Sequence, residues 1–526
     1  MIGEQILEKY KECNMQKYFA EYGEIEQKLE EMALELQKLS ELEQDGVLQK
    51  FENQSRNCPE WMRIHMLSFC MQVSMQKERK KEYAYMLLKV VNNASYDVVG
   101  EYNKLSHFWQ ASTVIFMDKD LECGKIQEEL VILYRTLFLE FYNILKSSIS
   151  RIPFEQRNEK LVIVMASQVL GMKHAPTKTL LDRCYILQRY LGKKVSIINT
   201  AMQMTGKGAA PFFRMRSAAY DDKLYECNYL EFNGEKFEFY QCKNNMPDIE
   251  QICLLLKMMK DKKPAYILNI GGSDICSDLC GEIVPEITIS TVFSKISYSC
   301  GMYQITDKEL SEEDVRQLQI LNVEPKNVKR TRFTFSFTQQ QHKYARKELG
   351  IYDDAFVLVV VGWRLDTEIN KDFLNMLEYV LECNDKISIV FLGQFNTCKE
   401  RIKDYSCLKS RYVNLGMRDD VLGILECCDL YVNPRRNGGG SSIAEALYKR
   451  IPAVTLPVGD ASVAAGEKFW VDNYEKMAEK ILQYAKDATV YLQMADEAEK
   501  RATLLLDSKA AFSEVMKDIE KELEEI

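Results

Sequence analysis

Histidine, close cysteine pairs and long apolar runs are all scarce in this 526-residue chain. The four histidines, His65, His107, His174 and His342, stand far apart, and no Cys-x-x-Cys pair accompanies them. The spacing of a structural zinc site is therefore missing. No apolar stretch approaches the roughly 20 residues that a helix needs to span a bilayer. Positive charge is not in excess either: 69 Lys and Arg against 78 Asp and Glu leave a net charge of −9. That balance argues against a general nucleic-acid binder. No secretory signal is read at the start, so the 16 scattered cysteines are expected to be reduced thiols. The expected location is cytoplasmic, at most peripheral to the inner face of a membrane. With 46% hydrophobic and 28% charged residues, the composition is that of a globular protein with room for several domains.

Proline is nearly absent from the first 150 residues, where Pro59 stands alone. Amphipathic patterns run through 24–42 and 126–138, with apolar residues recurring at three and four. Residues 1–152 therefore read as an all-helical N-terminal domain. Its expected role is packing, acceptor recognition or homo- or hetero-oligomer formation rather than chemistry.

The pattern changes at Arg151-Ile-Pro153. Leu161 to Ala166 is a continuous apolar run, the mark of a central parallel strand. A loop over 167–178, a helix to Tyr190 and a strand over 192–199 follow. Further units are a strand at 237–241, a helix over 248–260 and a strand from Ala265 to the turn Gly271-Gly272-Ser273. Ligands in such sheets gather beyond the carboxyl ends of the strands, which groups His174, Gly271, Gly272 and Ser273 near one crevice. Asp274 and Asp278 could offer carboxylates, though an Asp after Gly-Gly-Ser reads as a helix cap. This first lobe spans 153–338. A second lobe, 339–526, is expected to open with a helix from Gln339 to Leu349, ended by Gly350. Strands follow at 356–361, 387–393, 413–416, 429–433 and 453–457, and helix closes the chain from about Tyr491.

The richest segment is Leu430 to Leu447: an apolar strand, the turn Gly438-Gly439-Gly440, then Ser441 and Ser442 opening a helix. Glycines let backbone N–H groups approach an anion, and a helix N-terminus adds unpaired donors. A diphosphate site and a plain Gly-rich turn with serine caps both fit. Neither the P-loop pattern nor Gly-x-Gly-x-x-Gly is met.

Asn433-Pro-Arg-Arg-Asn-Gly-Gly-Gly-Ser-Ser-Ile-Ala-Glu445-Ala-Leu, with Lys449-Arg-Ile-Pro-Ala-Val after it, resembles the donor-binding motif of GT-B glycosyltransferases, especially the bacterial family-four group. The resemblance implies an α/β protein with two Rossmann-like doubly wound lobes (GT-B), here preceded by the helical domain. It implies that Glu445 takes the ribose hydroxyls and that Gly439, Gly440, Ser441 and Ser442 take the phosphates of a nucleotide-diphosphate sugar, a UDP-sugar. Arg364, after the strand 355–361, carries over. Two positions depart from the pattern: Asn437 stands where the family often has a Glu near the sugar, and Ile369 where it often has a Lys. Diphosphate charge is then left to Arg435 or Arg436. His174, in the cleft, is the candidate catalytic base on an acceptor hydroxyl, or a group that holds the donor phosphate; a loop-capping role fits it as well. Arg418, in the loop 416–420, lies where the family clasps the nucleobase, and Gly459-Asp460 where it holds the donor sugar. No metal and no other cofactor are expected, because the lone Asp-x-Asp triplet, Asp118-Lys-Asp120, is expected far from the donor motif. The reading is a glycosyltransferase acting on a glycan, lipid-linked or protein acceptor. A non-catalytic glycosyltransferase-like subunit and a sugar-nucleotide epimerase remain as alternatives.

Overall fold

The computed structural model describes residues 22–95, 104–121, 123–171, 174–203, 220–292, 295–337 and 339–525. Among the described residues six α-helices come first: α1 (Tyr22–Leu36), α2 (Glu41–Ser55), α3 (Glu60–Val73), α4 (Lys77–Asn93), α5 (Lys104–Met117) and α6 (Gly124–Leu145). The amphipathic run read as continuous over 24–42 is broken. Ser40 and Glu43 form a reciprocal capping box that starts α2 afresh, which satisfies two backbone donors that an unbroken helix would not leave open.

The first sheet has the order β3-β4-β2-β1-β5-β6-β7-β8, with β1 (Asn158–Ala166), β2 (Lys194–Asn199), β3 (Tyr229–Phe232), β4 (Glu235–Gln241), β5 (Pro264–Ile270), β6 (Glu286–Ile289), β7 (Tyr303–Thr306) and β8 (Val328–Arg330). Every neighbouring pair is parallel except the hairpin β3–β4. Side-chain alternation along β1 sends Leu161, Ile163 and Met165 into a core shared with the helical region, α8 (Ile249–Lys262) and α9 (Ile275–Gly281). Val162, Val164 and Ala166 face the opposite core, against α7 (Ala175–Arg189). The helical region thus covers one face of the sheet, joined by α10 (Glu312–Leu321).

The second sheet is all parallel, in the order β11-β10-β9-β12-β13, from β9 (Phe356–Gly362), β10 (Ile387–Gly393), β11 (Tyr412–Gly416), β12 (Leu430–Val432) and β13 (Ala453–Val454). Its helices are α11 (Leu365–Glu368), α12 (Lys371–Cys383), α13 (Cys398–Ile402), α14 (Val421–Leu425), α15 (Gly440–Tyr448), α16 (Gly459–Ala465), α17 (Tyr474–Lys486) and α18 (Ala488–Leu506). On β9, Val357, Val359 and Val361 face α15, α16 and α18; Leu358 and Val360 face α12 and α17.

The helix expected over 339–349 is absent except for a short 3-10 turn, Arg346–Leu349. Asp420 takes the N–H groups of Gln341 (3.2 Å) and His342 (2.7 Å). These contacts tie the segment to the loop before α14. At the other end, α19 (Ser508–Glu524) leaves the second lobe and buries Phe512, Val515, Met516, Ile519 and Leu523 in the core of the first. Tyr266 donates to Glu520 at 2.7 Å, and Lys329 pairs with Glu522 at 2.6 Å.

Among the described residues the cysteines are free thiols, and no helix is long and apolar enough to cross a membrane. Because α19 packs on a lobe distant in sequence, shortening its apolar face tests the return directly. Ile519→Ala should cost about 3 kcal/mol, read as a lowered midpoint in urea unfolding.

Candidate active site

In the second sheet the chain starts at β9, moves outward through β10 and β11, then returns to the other side of β9 with β12. The reversal opens a crevice between the carboxyl ends of β9 and β12. Arg436, just after β12, holds this place together. It is 5% exposed and makes four hydrogen bonds of 2.8 Å: Nε to Asn433 Oδ1, Nη1 to Glu368 Oε2, and Nη2 to the Val361 carbonyl and the Tyr431 hydroxyl oxygen. Its charge is met inside the protein, which corrects the expectation that it meets a diphosphate. The guanidinium also dictates two glycines. A Cβ on Gly362 would lie 2.6 Å from Nη1, and one on Gly439 2.6 Å from Nη2. Gly439 is left-handed as well, at φ +92°.

That turn ends on the N-terminus of α15. Among the described residues the amides of Gly440, Ser441 and Ser442 have no acceptor, whereas Ile443 already donates to the Gly439 carbonyl. Ser442 Oγ is engaged with the Tyr431 hydroxyl (2.7 Å) and the Gly439 carbonyl (3.1 Å). Ser441, half-buried, keeps its hydroxyl unpaired among the described residues. Arg364 comes to the same turn: its Nη2 lies 3.3 Å from where a Gly438 Cβ would stand. Glu368 Oε1 holds that Nη2 at 3.0 Å, and the Arg364 Nε is buried without a partner. Burial pushes the Glu368 carboxyl up, but Arg436 and Arg364 outweigh it and leave the group below its usual range. Ile369, at the expected Lys position, is a core residue at 1% exposure. Arg435 is exposed, and its backbone N–H donates to the Tyr474 hydroxyl at 3.1 Å.

Glu445 lies on the second turn of α15, buried, its carboxylate without a hydrogen bond among the described residues. Burial pushes its carboxyl up to about 7, offset in part by Lys178 of the first lobe. The two lobes therefore face each other here. One helical turn before Lys178, His174 stands at the N-cap of α7. Its Nδ1 lies 3.0 Å from Thr177 Oγ1, which also accepts the Leu170 N–H. Burial pushes the imidazole down to about 4, so it is neutral at pH 7. Gly271 and Gly272 follow β5, the neighbour of β1, but pack against Thr291, Ser297 and Tyr298. Ser273 donates its N–H to the Tyr298 carbonyl. Asp274 does cap α9; Asp278 instead accepts from Tyr134 of α6 at 2.7 Å and from Ser299 at 2.8 Å.

Arg418 is exposed and turns its Nε to the Leu415 carbonyl. Asp460 donates its N–H to the Asn437 carbonyl at 2.7 Å, bringing the loop before α16 against the glycine turn. Asn437 itself is buried, and its side-chain amide donates to the carbonyl of Phe116 at the end of α5. Asp118-Lys-Asp120 therefore sits two residues from a direct contact with the donor loop, not far from it. Its carboxylates are paired with lysines of α4: Asp118 with Lys80 at 2.6 Å and Asp120 with Lys77 at 3.0 Å. Among the described residues no group of three or more His, Cys, Asp or Glu side chains converges as metal ligands. Glu368 and Lys178 went unread in the sequence, although each lies four residues beyond a residue singled out, on the same helical face.

Two outcomes follow from these contacts. Arg436→Met strands Glu368 with one cation and should destabilise the protein by about 3–5 kcal/mol, measured by urea unfolding. The Glu445 carboxyl is raised in the folded state, so the stability it contributes is complete below pH 4.5 and lost as pH rises through about 7. Glu445→Gln should remove at most about 3 kcal/mol of that decline, seen as a smaller fall in Tm between pH 5 and pH 8.

Residues 355–487 match the family described as Glycosyl transferases group 1. No curated protein matches the chain. Among solved structures, a glycosyltransferase from Rickettsia africae superposes with a TM-score of 0.50 at 10% identity, over 70% of this chain and 99% of that one. HepE from Anabaena, solved with UDP and glucose, gives 0.49 at 14% identity over 69% and 99%. An O-GlcNAc transferase variant from Thermobaculum terrenum gives 0.48 at 12% identity over 95% and 97%. The chain thus has the GT-B fold, and residues 355–487 of its second lobe match the glycosyl transferases group 1 model.

Proposed function

We propose that the protein is a glycosyltransferase that holds a nucleotide-diphosphate sugar, a UDP-sugar, in the second lobe and passes the sugar to a hydroxyl of a glycan, lipid-linked or protein acceptor against the first. The observation that carries this reading is a convergence at the β9–β12 crevice. Three amides at the start of α15 without acceptors among the described residues, the Arg364 guanidinium and the Glu445 carboxylate, which has no hydrogen bond among them, belong to this crevice. Amides and guanidinium suit a diphosphate, and a carboxylate accepts from a pair of ribose hydroxyls.

In transfer, the bond between the anomeric carbon and the phosphate oxygen breaks, and its electron pair leaves with the diphosphate. The acceptor oxygen bonds to the anomeric carbon, and its proton passes to the departing diphosphate oxygen, so that the products are the glycoside and the nucleoside diphosphate. Arg364, the α15 dipole and exposed Arg435 stabilise the charge that builds on the leaving group. A base poised near the working pH is the efficient one, and a His174 held near 4 is far from it. The neutral ring, fixed through Nδ1 by Thr177, instead supports a positioning role for Nε2 toward phosphate or acceptor. Glu445 and Lys178 sit where lobe closure would exclude water and limit donor hydrolysis.

A thermal-shift panel of UDP, GDP, CDP, ADP and dTDP tests the donor site, since a ligand that binds only the native state raises Tm. UDP should raise it, and Glu445→Ala should abolish the shift. No shift at millimolar nucleotide would favour a non-catalytic subunit. Isomerisation of donor alone, without release of nucleotide, would favour an epimerase.

A further inference from the structure

We infer that Asp278 and Glu286, two carboxyls of the first lobe, share one proton beneath α6, and that this proton is a pH-sensitive fastening between the helical region and the lobe. The inference stands apart from the glycosyltransferase reading.

Asp278, on α9, is buried and well supplied with donors. Its Oδ2 accepts from the Tyr134 hydroxyl of α6 at 2.7 Å and from the Cys300 N–H at 2.8 Å, and its Oδ1 from Ser299 Oγ at 2.8 Å. Three donors suit an ionised carboxylate. Glu286, on β6, is wholly buried. Its Oε1 accepts from Ser277 Oγ at 2.5 Å and from Asn269 Nδ2 at 2.7 Å, but its Oε2 is sealed with no donor among the described residues. Two glycines close on that oxygen: a Cβ on Gly281 would lie 2.8 Å from it, and one on Gly301 3.0 Å. The Glu286 side chain nevertheless bonds to Asp278. Ionised carboxylates hold acceptors only, so this contact needs a proton on one of them. Glu286 is the member short of a donor, and it carries the proton toward Asp278.

The groups around the pair do not replace that proton. Asp274, at the N-cap of α9, is buried and takes the Thr200 hydroxyl at 2.6 Å. Arg135 of α6 and Arg151 bear on Glu282, just past α9, and Arg135 also on Cys300. Among the described residues neither arginine pairs with Asp278 or Glu286. Burial pushes up the thiols of Cys242, Cys276, Cys280 and Cys300, so they are neutral. Loss of the proton therefore leaves two buried anions in contact, a costly state. Burial raises both carboxyls; the Asp278 charge raises Glu286 further, while the donors around Asp278 hold it back. Stability from a raised carboxyl is complete below its unfolded pKa and lost as pH rises through the folded one. Tyr134 ties α6 to the same carboxylate, so the loss is felt as loosening of the helical region.

Infrared spectra and hydrogen–deuterium exchange of the full chain between pH 6 and pH 10 test this. Wild type minus Glu286→Gln should show the C=O band of a protonated carboxyl at pH 8, where Asp274 and Glu445, each raised to about 7, are mostly ionised. Protection of α6, corrected for the intrinsic exchange rate, should fall by up to about tenfold per pH unit once that band is lost. In Glu286→Gln, whose amide can still donate to Asp278 but cannot ionise, protection should stay flat. A band absent at pH 8 or undiminished at pH 10, or protection that ignores its loss, would overturn the inference. Tyr134→Phe leaves both carboxyls in place and serves if Glu286→Gln does not fold. It should keep the titrating band and lower α6 protection at pH 6 by at least about tenfold; unchanged protection would sink the fastening.

Discussion

A single carboxylate, Glu368, grips two arginines, and the crevice is arranged around that grip. Oε2 meets Arg436 at 2.8 Å and Oε1 meets Arg364 at 3.0 Å. Burying a charge is tolerable only when partners satisfy it, and here every member contributes. Arg436 ties the end of β9, through Val361, to β12, through Tyr431, and to the loop after it, through Asn433. Because its guanidinium lies against Gly362 and Gly439, neither position can carry a side chain. The bare turn that results is what leaves the first amides of α15 open.

Adjacent arginines in the sequence have been given opposite tasks. Arg436 is enclosed and neutralised by Glu368, whereas Arg435, its neighbour, points its charge to solvent at the rim. Arg364 is intermediate, anchored by one nitrogen and partly exposed. Positive charge at the crevice is therefore graded from fixed to free. Glu445, on the second turn of α15, is held near the point where its carboxyl exchanges its proton at neutral pH.

Much of this was legible in one dimension. Apolar runs located β1, β9 and β12, because strands covered on both faces read as unbroken hydrophobic stretches. The triple glycine and the paired serines marked the start of α15. What could not be read were choices made by distant partners. Nothing in Pro434-Arg435-Arg436 says which arginine turns inward; Glu368, 68 residues away, decides it. The segment 339–345 carries a helical pattern yet forms no helix, and two of its amides go to Asp420, about 80 residues on. Asp118-Lys-Asp120 is remote from the donor motif in sequence, yet the Phe116 carbonyl beside it touches Asn437 across 321 residues.

The return of α19 to the first lobe also changes the mechanics of the pair. The chain passes between lobes twice, once through 331–337 and once at 506–508, and the Phe335 N–H donates to the Leu505 carbonyl at 2.8 Å. Thr331 Oγ1 donates to the Ala511 carbonyl, and Arg183 bonds Thr334 while lying over the Phe512 ring. Two strands of backbone laced side by side form a strap rather than a swivel. Such a strap resists twisting and sliding, and permits bending about its own line. Any opening of the crevice where Lys178 looks toward Glu445 must then turn about this line.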